Sequence, residues 1–364
     1  MAAVVVLLAG CAASTRPTDD QRTVHPGLNL NATGRPTGDT STLATSITPH
    51  TSAAPSDAQT LADPIFRLPS RNAIPKPSLP RRSTPPVTGP TIAGCPLFPA
   101  DNAWRQNVSA LPLNPHSAAW VASIGAGGFL HPDFGSDPSY GIPYSVVSAS
   151  QAGAAITFTA YGDESDPGPY PIPASAKIEA GADAHVLVAS GDCHLYELYG
   201  AARKGSGWTA RSGAVFNLRS DALRPAGWTS ADAAGLPILP GLVRPDEIAA
   251  GHIDHALRFT VSKSQRGYIN PATHAAGSTS SPDVPPMGAR FRLKASFDLS
   301  HYTGASRIIL QALKTYGMFV ADNGSNWHLS GATYTGWNDD DLDQLKHVPG
   351  SAFEAVNTGP VHPG

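Results

Sequence analysis

The chain has 364 residues, 35 of them proline and 35 glycine, so much of it must be turn, loop or linker and a compact helical protein is excluded. Charged residues make up 15% and leave a formal net charge of −3. No long basic stripe interleaved with aromatics occurs, which removes the electrostatic case for nucleic acid.

The apolar run Ala2 to Leu8 leads into Leu8-Ala9-Gly10-Cys11, which resembles the lipobox of a bacterial lipoprotein signal peptide. Residues 1–10 then read as the signal and Cys11 as the lipidated first residue of the mature chain, although no Lys or Arg precedes the run. One acyl chain holds a membrane only marginally, so more than one, palmitate among them, is expected on Cys11. Beyond this run nothing approaches the roughly 20 apolar residues that span a bilayer, so membrane contact is expected through the lipid alone. With Cys11 set apart, Cys95 and Cys193 are the two cysteines left to form one disulfide in an oxidising compartment.

Residues 11–94 are rich in Thr, Ser, Pro, Asp and Asn and cannot bury enough apolar surface to offset chain entropy, which predicts a disordered tether. Its last part carries Arg67, Arg71, Lys76, Arg81 and Arg82 among prolines and reads as a stiffer spacer.

A single globular domain is expected over 95–364. Asn114-Pro115 signals a short helix through Ile124, with Gly125 beyond its end. Short β-like runs follow at Tyr144 to Val147, Ile156 to Tyr161, Ala214 to Leu218, Ile253 to Val261, Arg290 to Phe297, Met318 to Ala321 and Trp327 to Leu329. Among them His185 to Tyr199 (HVLVASGDCHLYELY) reads as a central hairpin turning at Ser190-Gly191-Asp192, apolar on both faces and so covered on both. Helices are predicted at Pro245 to Ala250, at Ala305 to Tyr316 with Gly317 as a left-handed cap, and at Asn338 to Val348 with Asp339 to Asp341 against the positive end of the helix dipole. This pattern predicts a mainly β domain: an antiparallel β-sandwich of jelly-roll type with three or four short peripheral helices.

The phrases Gly235 to Arg244 (GLPILPGLVR), Gly251 to Arg258 (GHIDHALR), Pro286 to Leu293 (PMGARFRL) and Ala312 to Gly324 (ALKTYGMFVADNG) resemble a family of uncharacterised secreted bacterial lipoproteins. The resemblance implies an extracytoplasmic, β-rich domain and carries over no catalytic residue.

No G-x-S-x-G, H-E-x-x-H, C-x-x-C or phosphate-cradling glycine loop is present, so serine-esterase, zincin, redox and nucleotide chemistry are not indicated, and neither a cofactor nor a metal is expected. Glycoside cleavage needs two carboxylates facing across a sugar. Glu197 inside the central hairpin is the first choice as acid or base, with Asp254 or Glu164 as second carboxylate and His185 as a further acid or base. Arg258, Tyr196 and Trp228 are the candidate substrate contacts. His252, Asp254 and His255 offer a weaker metal reading, because strand alternation sends His255 to one face and Asp254 to the other, where it would pair with Arg258. These features predict an envelope-anchored, monomeric polysaccharide hydrolase or lyase whose partner is a cell-wall or other glycan. The alternative is a non-catalytic glycan- or envelope-binding module.

Overall fold

A computed structural model describes residues 89–364. The stretch expected to be a signal peptide, Cys11 and nearly all of the expected tether lie outside these residues.

Two main sheets organise the described chain. Their strands are β1 (His131–Pro132), β2 (Tyr144–Val147), β3 (Val186–Ser190), β4 (His194–Tyr199) and β5 (Ser212–Asn217), followed by β6 (Leu257–Val261), β7 (Arg290–Leu293), β8 (Met318–Asn323), β9 (His328–Leu329) and β10 (Phe353–Val356). One sheet runs in the order β5-β4-β3-β2 and the other β10-β7-β8-β6-β9-β1. Branched and aromatic residues such as Val186, Val188, Phe259, Phe291 and Val320 fill the central strands, as expected for pleated, doubly covered surfaces.

The mainly β expectation holds, but the sheets are mixed rather than purely antiparallel. β2 pairs parallel with β3, β6 with β8, and β9 with β1. Period-two patterning tells which face a residue takes and says nothing of strand direction, which the connections decide. Between β6 and β8 the chain makes β7 and a full helix, enough length for a parallel return.

The central hairpin forms as predicted, with Val186 opposite Leu198 and Leu187 opposite Glu197. Both faces are covered. Leu187, Ala189 and Leu195 enter the larger core, while Val186, Val188 and Leu198 pack with Tyr170 and Trp208 in a smaller one. Burying a leucine or valine in this way is worth about 1.5–3 kcal/mol. Cys193 closes the turn, donating its N–H to Ser190 O at 2.8 Å with a φ of +70°.

Cys193 is bonded to Cys95, with Cα atoms 5.4 Å apart. The pair ties the entry ribbon Thr91–Ile92/Cys95–Pro96 to the tip of the hairpin.

Among the described residues four α-helices flank the sheets. α1 spans Ser117–Ile124, two residues later than the Asn-Pro signal suggests, because the Asn114 side chain accepts from His116 N (2.9 Å) and forms a turn ahead of the helix. α2 is Pro245–Ala250 and ends at left-handed Gly251. α3 is Gly304–Thr315, burying Ile309, Leu310, Ala312 and Leu313, and Gly317 takes the predicted positive φ. α4 is only Asp339–Leu342 and continues as a 3-10 turn to His347. Its aspartates do more than meet their own dipole: Asp341 accepts from Ala305 N at the start of α3, and Asp339 accepts from Ser136 N and Oγ.

Candidate functional site

A polar cavity of about 970 Å³ opens where β6 and β8 run out, walled by the segment after β1, the loop before β3, β9 and the α4 region. Arg258 and Thr260 reach it from β6, and Asp322 from β8. A bulge places the aspartate there. Arg258 lies opposite Phe319 and Phe259 opposite Val320, but Thr260 lies opposite Asp322, so Ala321 is skipped. Strict alternation would put Asp322 on the side away from Arg258; the extra residue turns it into the cavity.

Arg258 donates twice to Asp232, Nη2 to Oδ1 at 2.9 Å and Nε to Oδ2 at 3.2 Å, and its Nη1 donates to Ser330 Oγ at 2.6 Å. Every part of the pair is buried, so the fork is fixed before any ligand arrives. Beside it His185 Nδ1 meets Glu179 Oε2 at 2.5 Å, and Nε2 lies 3.0 Å from Ala231 O. Burial opposes the imidazolium, but Glu179 outweighs it and raises the pKa of His185 to about 9. His185 is therefore charged at neutral pH. Asp322 is raised as well, here toward its neutral form: burial first, and then the Asp232 charge, push its carboxyl up to about 7, with Arg258 pulling against them. Near neutrality Asp322 can hold or release a proton, as a general acid requires.

Seven carboxylates line the cavity against three cations, Arg258, Lys346 and the protonated His185. Such a lining disfavours anionic ligands and suits hydroxyl-rich or cationic ones. Tyr140, half exposed, stands on the wall as an aromatic surface. On the β1–β9 side, His131, Asp133 and His328 face the cavity together, with one ligand atom from each lying within 4.8 Å of the others.

Two of the residues singled out by sequence converge here, His185 and Arg258. Glu197 does not. It belongs to a strand covered on both faces, is fully buried, and accepts from Ile238 N (2.9 and 3.0 Å) and Leu239 N (2.9 Å), so it secures a loop and does not line the cavity. Burial also raises its carboxyl to about 7, against the pull of those N–H groups. Asp254 lies in a separate small hollow near Arg244, 3.9 Å from His252, while Arg258 pairs with Asp232 and not with Asp254. His255 is buried between Glu247 Oε1 and Ala256 O, both at 2.7 Å. Glu164 accepts from Thr229 N at 2.9 Å. Tyr196 packs on Tyr170, and Trp228 lies under the Arg224 guanidinium at 5.6 Å.

Sequence reasoning passed over Asp322, Glu179, Asp183, His131, Asp133 and His328. Asp322 stands within the Ala312 to Gly324 phrase, and His131-Pro-Asp133 has the i, i+2 spacing that puts two side chains on one face of a strand. What joins them is the parallel pairing of distant strands, which leaves no local trace. Comparisons with protein-family models, with curated proteins and with solved structures find no match to this chain.

Proposed function

We propose that this chain is an extracytoplasmic, envelope-anchored lipoprotein of the secreted bacterial type its phrases resemble, and that it cleaves a polysaccharide in the cavity beside β6 and β8. The two main sheets would act as the layers of a sandwich-like frame around it. The observation that carries the reading is Asp322: a carboxyl turned by a bulge into an acid-rich cavity, next to a pre-formed Arg258–Asp232 fork. In this reading Asp322 protonates the leaving oxygen. Asp183, from the loop before β3 and within the electrostatic reach of Asp322, serves as the second carboxylate and activates water or takes the anomeric carbon. Arg258 and Ser330 fix hydroxyl groups, and Tyr140 offers a face on which a sugar ring stacks.

Incubating the full chain with a panel of wall and plant polysaccharides tests this. New reducing ends or unsaturated products are expected from at least one polymer. Retention on a glycan gel with no turnover would replace cleavage by a binding module, and absence of both would remove the glycan altogether.

A further inference from the structure

We propose that His131, Asp133 and His328 form a binding site for one divalent transition-metal ion of the zinc class, set in the wall of the same cavity. The backbone places the three ligands. His131 and Asp133 are two apart, so the pleat directs both to one face while buried Pro132 takes the other. His328 is the register partner of His131 in the parallel β9–β1 pair. The segment is pinned by His131 N donating to Trp327 O and Asp133 N to Leu329 O, each at 2.9 Å. The imidazoles stack with centroids 4.3 Å apart, and His328 Nδ1 lies 4.0 Å from Asp133 Oδ1.

Metal–ligand bonds of about 2.0–2.2 Å in a tetrahedron put ligand atoms about 3.4 Å apart. The present limit of 4.8 Å therefore closes with roughly 1 Å of side-chain rotation, without moving the strands. Two imidazoles and one carboxylate form a nitrogen-rich set that selects zinc-like ions over calcium and magnesium, which prefer all-oxygen shells. Three protein ligands leave at least one position open, and all three residues line the cavity, so that position faces the space a substrate would occupy. The inference does not depend on the glycan reading, since it is read from metal binding alone.

The test is titration of the full, tag-free chain with Zn²⁺ by calorimetry, alongside metal analysis after dialysis and the visible spectrum of the Co²⁺ form. One ion per chain with a dissociation constant in the micromolar range or below is expected, with Ca²⁺ at least 100-fold weaker. His328→Ala should weaken Zn²⁺ at least 100-fold and change the Co²⁺ spectrum, while His252→Ala, at an exposed pair elsewhere, leaves both unaltered. If His328→Ala misfolds, Asp133→Asn provides the same comparison with nearly unchanged shape. Undetectable binding, Ca²⁺ bound as tightly as Zn²⁺, or undiminished stoichiometry and affinity in a folded ligand variant would overturn the site. Failure here leaves polysaccharide turnover untouched, and turnover without metal would show that the two claims part.

Discussion

Arg258 Nη2 lies 2.9 Å from Asp232 Oδ1, and both side chains are withdrawn from solvent. A buried pair of this kind is strongly destabilised by removing one partner, because the other charge is left without compensation. Asp232→Ala is expected to lower the unfolding free energy by about 3–5 kcal/mol. The double variant Asp232→Leu, Arg258→Met should recover part of that loss. Chemical denaturation of the three proteins measures it, and a single variant as stable as the parent would show that the fork is not a structural tie.

The His185–Glu179 contact makes stability depend on pH. Folded, His185 keeps its proton to about pH 9, whereas an unfolded chain gives it up near 6.5. The contribution is whole below pH 6.5 and is lost as pH rises through 9, an amount of about 3 kcal/mol. Glu197 and Asp322, each raised to about 7, act in the same direction at lower pH: protonated they are tolerated, and stability declines as pH rises to about 7. The melting temperature should therefore be higher at pH 5 than at pH 9. In His185→Gln the decline between pH 7 and 9 should flatten; an unchanged slope would assign the pH dependence elsewhere.

Glu197 separates structure from chemistry. Glu197→Ala would strand the N–H groups of Ile238 and Leu239, at a cost of about 3 kcal/mol with the space it leaves. In Glu197→Gln one oxygen can still accept from both, so thermal stability should change by about 1 kcal/mol or less, and any turnover should survive. A folded Glu197→Gln protein without turnover would restore Glu197 as the acid.

How far the sequence reaches is well seen at this residue. The hairpin, its two-sided burial, the cap at Gly317, the bounds of α2 and the cysteine pairing all follow from local pattern and elimination, and all are found. A carboxylate inside an apolar strand is also visible in sequence, but whether it meets a cleft or a backbone turn depends on residues 41 and 42 positions away. The same holds for the cavity. Asp322 becomes a candidate through a single-residue register shift, and His328 through pairing with a strand nearly 200 residues earlier. Parallel pairing and bulges are tertiary decisions, and neither composition nor periodicity encodes them.

The disulfide joins residues 98 apart and carries a correspondingly large chain-entropy term, about 4–5 kcal/mol. Cys193→Ala, paired with Cys95→Ala to avoid a free thiol, should lower the melting temperature markedly while far-ultraviolet circular dichroism stays strand-rich. Thiol titration of the oxidised parent, unfolded in denaturant, should detect neither Cys95 nor Cys193. Reaction at either position would contradict the pairing.

The central claim is that Asp322 is the acid of a glycan-cleaving cavity, and the most direct measurement is reducing-end release by Asp322→Asn beside the parent across pH. General acid catalysis contributes about 10²–10⁴ in rate, so kcat should fall at least 100-fold in Asp322→Asn while glycan retention on gels persists. The parent's kcat should decline as pH rises past about 7, where Asp322 loses its proton. A folded Asp322→Asn protein that releases reducing ends at the parent's rate, with the same pH profile, would contradict the account.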